Sequence, residues 1–240
     1  MLICSFFRAE EWSELRMQLV QGDENAWSRA IHVFECRMKE RFFSEIELLL
    51  RSGKTGSQSI VPGFAIMALC CILVETLQAF YEGHVMEPPQ TPENPCQYPE
   101  GDCLKVPLAV ETTEKCAFPD HPCVKTPPTA RSFAHFLKGS PHFSDFNGRA
   151  RSSFSIQIRN GLLHDAETRG GWLIRESDPK EKILERRGQH YVLNRSRFYS
   201  ALNAEFKDYL VRLGDSTKHT LRNNFLKKMD NICQFEPTVE

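Results

Sequence analysis

The chain has 240 residues, of which 41% are hydrophobic and 25% are charged. This composition is typical of a soluble globular protein with one good-sized core, or one core plus a small inserted module. The continuous apolar stretch at residues 64–74 is far shorter than the ~20 residues of a membrane span, and residues 1–7 lack the pattern of a signal peptide. We therefore expect a cytoplasmic protein with no membrane partner, whose cysteines are thiols or metal ligands rather than disulfides.

The net charge of -1 conceals an asymmetry between the two halves of the chain. Residues 1–128 hold 11 Lys and Arg against 18 Asp and Glu, whereas residues 129–240 hold 19 against 13. The first half therefore carries a net charge of -7 and the second half +6. A basic C-terminal half favours a polyanionic ligand such as RNA, although a solvated surface has the same composition.

The N-terminal part of the chain predicts helices that belong to a bundle. Residues 1–24 are a weakly amphipathic lead-in, and a loop at 53–59 separates two helices predicted over 25–51 and 62–81. The second helix is apolar nearly all round except for Glu75, which is typical of the central element of a bundle. The first has one apolar face, formed by Trp27, Ala30, Ile31, Phe34, Met38, Phe42, Ile46 and Leu49.

Residues 87–128 differ in kind, because they hold 10 of the 14 prolines and four of the nine cysteines. A short repeat lies within them: C-Q-Y-P-E-G-D-C-L-K-V-P at 96–107 matches C-A-F-P-D-H-P-C-V-K-T-P at 116–127. Four thiols in two equally spaced pairs predict a structural zinc site. Its ligands would be Cys96, Cys103, Cys116 and Cys123. The spacing within each pair is wider than usual for zinc, so a proline-rich excursion with incidental thiols is the alternative.

The C-terminal part predicts further helices and one small hairpin. Helices are expected over 129–138, 140–167, 195–213 and 216–233, and short strands at 172–176 and 190–194 are expected to pair around the charged segment 177–188. The fold class is therefore all-α, a bundle of five or six helices with a β-hairpin and a Cys/Pro-rich inserted loop. The chain divides into N-terminal helices at 1–86, the insertion at 87–128 and C-terminal helices at 129–240.

Three polar residues, Arg159, Asn160 and His164, lie near the end of the helix predicted over 140–167. The apolar residues of this helix recur every fourth position, which predicts a buried stripe of Phe146, Ala150, Phe154, Ile158 and Leu162. Arg159 and His164 are five residues apart, about 140° around an ideal α-helix. The arginine must therefore wrap round the helix to meet the histidine, or a second chain must complete the pair. Gly170 and Gly171 then let the chain turn.

An arginine followed by a histidine a few residues later is a loose pattern, and the chain contains it twice. Arg212 and His219 also fit it, but they straddle the helix break at Gly214, so we expect them to be surface residues. The first copy differs in three ways. It lies on an amphipathic helix, an asparagine directly follows its arginine, and two glycines after its histidine are expected to stop the helix. A purely structural interpretation is also open for it: His164 could stabilise the helix C-terminus, and Arg159 could pair with Asp165 or Glu167.

The sequence R-N-G-L-L-H at 159–164, on a helix expected to pack against the apolar helix at 62–81, resembles the HEPN superfamily. The resemblance covers residues 25–82 and 129–213. Members of this superfamily are α-helical bundles that commonly carry R-[NDH]-x-x-x-H, and Arg159, Asn160 and His164 match that motif. Many members are metal-independent endoribonucleases of toxin–antitoxin, phage-defence and RNA-guided systems, with a composite active site formed across a homodimer. Others bind nucleotides or partner proteins without cleaving RNA.

The residue types suit this chemistry. The 2′-hydroxyl of RNA can attack the adjacent phosphate if a histidine transfers protons and an arginine stabilises the charge on phosphorus. His164 is thus the expected general acid/base and Arg159 the expected phosphate ligand, while Asn160 would orient the histidine or bind a phosphate oxygen. Catalysis of this kind needs no metal, so a zinc ion in the insertion would be structural. The nearby basic residues expected to hold the RNA backbone are Arg149, Arg151 and Arg169.

The expected partners are therefore RNA, a second copy of the chain, and a protein that neutralises or activates it. The alternative is a non-catalytic, HEPN-like module that binds a nucleotide or a protein.

Overall fold

A computed structural model describes residues 1–52, 62–83, 128–176 and 182–236 of the chain. The predicted zinc ligands, Cys96, Cys103, Cys116 and Cys123, lie outside the described residues, as does most of the insertion. Helices make up 72% of the described residues, which confirms the mainly helical class. The buried apolar side chains on both sides of the insertion belong to one hydrophobic cluster.

Eight α-helices and five short strands form the described part of the chain. The helices are α1 (Trp12–Val20), α2 (Glu24–Met38), α3 (Ser44–Ser52), α4 (Gly63–Glu82), α5 (Pro128–Gly139), α6 (Gly148–Phe154), α7 (Arg195–Gly214) and α8 (His219–Cys233). The strands are β1 (Leu2–Cys4), β2 (Phe7–Arg8), β3 (Trp172–Arg175), β4 (Leu184–Arg187) and β5 (His190–Asn194). A π-helical turn, Lys39–Phe43, joins α2 to α3, and a longer π-helix, Ser155–Asp165, continues α6.

The helix predicted over 25–51 is present as α2, the π-helical turn and α3 in continuous succession. It begins at Asp23, whose side chain accepts a hydrogen bond from the backbone N–H of Asn25, as an N-cap does. The π-turn adds a residue to one turn of the helix and so shifts the apolar face beyond it. As a result Phe43 is the buried phenylalanine there, while Phe42 is only partly buried.

The predicted central helix is α4, which packs against α3, α5, α7, α8 and the long π-helix. Its C-terminal half supplies Phe80 to an aromatic cluster at the centre of the bundle, where the Phe34 and Phe80 ring centroids lie 4.4 Å apart. Phe206, Tyr209 and Phe225 complete this cluster from α7 and α8. Among the described helices, α4 is long and apolar enough to cross a membrane by length and composition, and half of its apolar window is buried inside the fold.

The strand pairing differs from the prediction. The two predicted strands do form, but β3 and β5 run parallel, with Trp172 opposite Tyr191, and therefore do not make a hairpin with each other. The hairpin consists instead of β4 and β5, an antiparallel pair that turns at Gly188 with a positive φ of 63°. Strand β4 was not predicted, because L-E-R-R has no apolar alternation. The antiparallel pair β1–β2, within the predicted lead-in, was also missed.

A second aromatic cluster holds the C-terminal helices together and fixes the position of α6. The rings of Phe154 on α6 and Phe198 on α7 are stacked, with centroids 5.4 Å apart and planes 3° from parallel. The other rings of this cluster belong to Phe133, Phe143, Phe146 and Trp172. Because every one of these side chains is almost completely buried, the start of the motif-bearing helix is held rigidly against the bundle.

Candidate functional site

The predicted stripe is buried, but the helix begins at Gly148 and not at residue 140, so Phe146 lies before it. Phe146, Ala150, Phe154, Ile158 and Leu162 are all buried. From Ser155 onward, however, the helix is of π type, in which hydrogen bonds join residues five apart instead of four. A π-helix turns residues five positions apart toward the same side. The 140° separation expected between Arg159 and His164 in an α-helix is therefore wrong for this segment.

Arg159 is held by α4. Its Nε donates a hydrogen bond to Glu75 Oε1 at 2.8 Å, and its Nη1 donates to Asn160 Oδ1 at 3.1 Å. The side chains of Arg159 and Glu75 are 22% and 27% exposed, so the ion pair lies at the surface with its outer edge open to solvent. The alternative partners considered from the sequence, Asp165 and Glu167, do not pair with Arg159. Asp165 binds Arg169, and Glu167 accepts from the backbone of Thr168.

His164 is exposed in the last turn of the π-helix, one residue before its end at Asp165. Within the described residues its imidazole has no hydrogen bond or ion pair, so both ring nitrogens are open to solvent or to a ligand. Asn160 was predicted to orient the histidine or bind phosphate, but its side-chain oxygen accepts a hydrogen bond from Arg159. It therefore helps to position the guanidinium group and not the imidazole.

The chain folds back over the helix directly after His164. Ala166 adopts a left-handed conformation with a φ of 52°, and its backbone N–H donates to the carbonyl of Gly161. The Arg169 backbone N–H then donates to the carbonyl of Gln157 at 2.9 Å. A Cβ atom on Gly161 would lie 2.4 Å from the backbone oxygen of Glu167, a distance that no side chain tolerates. The glycine of the motif is thus required because the returning chain lies against it.

The two glycines that follow have the turn-forming role expected of them. Gly170 and Gly171 have φ values of 60° and 75°, in the region that favours glycine. They lead directly into β3. The helix itself ends earlier, at the left-handed Ala166, so the prediction that the glycines stop the helix is wrong.

The three predicted RNA-binding arginines differ in exposure and in pairing. Arg149 is exposed near the start of α6, and Arg151 is half-buried two residues later. Arg169 is exposed, but it forms an ion pair with Asp165 within the returning segment. Arg149 and Arg151 therefore belong to α6, before the π-helix that carries Arg159.

Comparison with known proteins gives no family. No protein-family model, no curated protein and no solved structure matches the chain.

One functional neighbour was missed by sequence reasoning, namely Glu75 as the partner of Arg159. A single carboxylate in the middle of an otherwise apolar helix was a usable signal, because a charge there needs a partner on the neighbouring element. Cys71 precedes Glu75 by four residues on α4, and burial raises the pKa of its thiol well above the ordinary value. A thiol of that kind stays protonated and is not a nucleophile.

The second arginine–histidine pattern has a different environment from the first. Arg212 was expected at the surface, and its side chain is 41% exposed. Its Nη2 also donates to the buried carboxylate of Glu205 at 2.6 Å and contacts the Tyr81 hydroxyl. His219 is exposed at the start of α8, as expected. Arg212 is therefore part of the packing of α4 against α7.

Proposed function

We propose that the chain is a HEPN-type, metal-independent endoribonuclease that acts as a homodimer in a defence or toxin–antitoxin setting. The observation that carries the proposal is the anchoring of Arg159 by Glu75 and Asn160 on the segment that also bears the exposed His164. His164 follows Arg159 by five residues on a π-helix, and its imidazole has no hydrogen bond or ion pair among the described residues. An anchored guanidinium and an imidazole available for proton transfer are what phosphoryl transfer on RNA requires.

In this mechanism the 2′-hydroxyl of the ribose attacks the adjacent phosphorus, and the 5′-oxygen of the next nucleotide leaves. The products are a 2′,3′-cyclic phosphate and a free 5′-hydroxyl. His164 transfers the proton between attacking and leaving oxygens. Arg159 binds a non-bridging phosphate oxygen through the edge of the guanidinium that Glu75 does not occupy, and so stabilises the charge that develops in the transition state. Arg149 and Arg151 bind neighbouring phosphates.

A second copy of the chain is proposed to complete the site. Two large apolar side chains flank the motif at the surface: Ile72, three residues before Glu75 on α4, is 37% exposed, and Leu163, next to His164, is 40% exposed. Exposed apolar groups beside a polar site are typical of a surface that pairs with another protein. Two-fold pairing there would bring the motif helices of both protomers together, as the resemblance implies.

The test is cleavage of a labelled mixed-sequence RNA in EDTA, followed by analysis of the fragment ends. The wild type is expected to leave 2′,3′-cyclic phosphate ends, and His164→Ala is expected to be at least 100-fold slower, because proton transfer contributes about that factor. The matched control is His219→Ala, which removes the exposed histidine of the second arginine–histidine pattern and should leave the rate unchanged. His164 is exposed, so the melting temperature of His164→Ala should equal that of the wild type.

A mixing experiment distinguishes a site shared by two chains from a site within one chain. Arg159→Ala and His164→Ala are each expected to be inactive alone. In a shared site, mixing them regenerates one intact site in each heterodimer, and about a quarter of the wild-type activity should return. No return of activity would contradict the shared site. If the folded wild type does not cleave RNA at all, the endoribonuclease is the wrong proposal and the non-catalytic binding module replaces it.

A further inference from the structure

A cluster of three potential metal ligands lies away from the motif helix, between α7 and the connection from α5 to α6. His142 lies on the short 3₁₀ turn Pro141–Phe143, whose N-cap Ser140 accepts a hydrogen bond from the His142 backbone N–H. Glu205 and Asp208 lie three residues apart on α7 and therefore share one face of that helix. The contact of Phe143 with Phe198, whose ring centroids lie 5.0 Å apart with planes tilted by 58°, fixes the turn against α7.

The three side chains converge on a small volume. The Nε2 atom of His142 lies 2.7 Å from Asp208 Oδ2, and one ligand atom from each of the three residues lies within 4.8 Å of the others. Tetrahedral ligands at about 2.0 Å from a zinc ion lie roughly 3.3 Å from one another, so the His142–Asp208 pair would separate by about 0.6 Å to admit a metal. Asp208 is exposed, and a small rotation of its side chain is sufficient.

Glu205 supplies the observation that points to a ligand. It is only 2% exposed, and its Oε1 accepts hydrogen bonds from the Tyr81 hydroxyl at 2.5 Å and from Arg212 at 2.6 Å. Its Oε2 is buried without any hydrogen-bond partner in the described structure. A buried carboxylate oxygen without a partner is costly, and a cation bound at the cluster would satisfy it.

We propose that His142, Glu205 and Asp208 bind a divalent transition-metal cation, with Zn²⁺ as the best match. One imidazole and two carboxylates are ligands that Zn²⁺ accepts, and three protein ligands leave a fourth position for water. The two carboxylates balance the charge of the cation, while Arg212 binds the opposite oxygen of Glu205 and keeps that carboxylate in place. Metal binding would replace the hydrogen bond between His142 Nε2 and Asp208 Oδ2 with a bond from each group to the cation.

This site is distinct from the proposed ribonuclease site. Tyr81 contacts Glu205 and lies six residues after Glu75 on α4. At ~1.5 Å and ~100° per residue, the two α4 positions are about 9 Å apart along the helix axis and point about 120° apart around it. The cation would therefore not contact RNA bound at Arg159. Its effect would be to clamp the turn that precedes α6 onto α7, and so to stabilise the C-terminal helices.

The test compares zinc content and thermal stability among variants of the full chain. Each protein is stripped with EDTA, equilibrated with micromolar free Zn²⁺, and its bound zinc is counted by elemental analysis. Wild type is expected to hold one more zinc ion per chain than His142→Ala or Asp208→Asn. Zinc bound by the cysteines of the insertion would be equal in all variants, so the difference isolates the new site. The control is His135→Ala, which removes a histidine that faces Glu82 outside the cluster.

The melting temperature provides a second measurement. At a hundredfold excess over the dissociation constant, Zn²⁺ should raise the melting temperature of the wild type by roughly 5 to 10 °C more than that of Asp208→Asn. Asp208 is exposed and asparagine keeps an acceptor for His142, so this variant is expected to fold. Equal zinc content in wild type, His142→Ala and Asp208→Asn would overturn the proposal and leave His142 and Asp208 as an ordinary hydrogen-bonded pair.

Discussion

Two arginine–glutamate pairs of this protein contain the same residue types in different environments. The pair of Arg212 and Glu205 lies between α7 and α4, where the arginine side chain is 41% exposed and the carboxylate side chain is 3% exposed. The pair of Arg159 and Glu75 lies on the surface of α4, and its two side chains are 22% and 27% exposed. In the first pair the carboxylate also binds Tyr81, whereas in the second the guanidinium also binds Asn160.

The difference between the pairs lies in the environment of the carboxylate. Both arginines belong to the same loose arginine–histidine pattern, which alone could not rank them. Arg212 lies over the ring of Tyr81, 5.1 Å from its centroid, and burial together with the bond to Glu205 raises the pKa of that tyrosine. The exposure of the arginines does not separate the pairs, because Arg212 is 41% exposed and Arg159 is 22% exposed. The carboxylates separate them, since Glu205 is buried and Glu75 is 27% exposed.

The largest expected effect on stability comes from breaking the buried pair. Glu205→Ala leaves Arg212 and the Tyr81 hydroxyl without their acceptor and opens a cavity between α4 and α7. We expect a loss of about 3 kcal/mol in the free energy of unfolding, because the Tyr81 hydroxyl loses its acceptor and a buried cavity remains, whereas the half-exposed Arg212 keeps contact with water. Urea denaturation in EDTA measures this free energy of unfolding without a contribution from bound metal. A loss below about 1 kcal/mol would mean that Glu205 is no more important than a surface carboxylate.

The next effect concerns the turn that covers the motif helix. Gly161→Ala places a methyl group 2.4 Å from the Glu167 carbonyl oxygen, so the returning segment must move. Overpacking against backbone typically costs 1–3 kcal/mol, and we expect a loss of about 2 kcal/mol in unfolding free energy. Gly148→Ala is the matched control. Its Cβ would meet nothing within 4 Å at the start of α6, so this variant should be as stable as the wild type or slightly more stable. Equal stability of the two variants would show that the segment after His164 yields without cost.

Much of the helical framework follows from local sequence alone. The apolar spacing predicted α4 and α7 to within two residues at each end and identified the buried stripe from Phe146 to Leu162. These elements are predictable because each buries one apolar face whose period is set by the helix itself. The glycine turns at 170 and 171 followed from the same local reasoning.

Other features depended on contacts between distant residues. The parallel pairing of β3 with β5 brings together strands separated by the charged segment, and nothing in either strand specifies its direction. The bond between Arg159 and Glu75 joins residues 84 positions apart. The π-helix was likewise not predicted, because its last turn is closed by the returning chain, whose Glu167 and Arg169 backbone N–H groups donate to the carbonyls of Gly161 and Gln157.

Glu75→Ala is expected to have the smallest effect on stability. It also separates the two pairs most clearly. Because the Arg159–Glu75 pair is open to solvent, its loss should lower the free energy of unfolding by less than about 1 kcal/mol, against about 3 kcal/mol for Glu205→Ala. The proposed cleavage should fall by about 10-fold to 100-fold, because a guanidinium without its anchor spends less time in the position that the phosphate needs. Single-turnover cleavage and urea denaturation on the same preparations measure both quantities. A large loss of stability with unchanged cleavage would reverse the roles assigned to the two pairs, and would make Glu75 the structural residue.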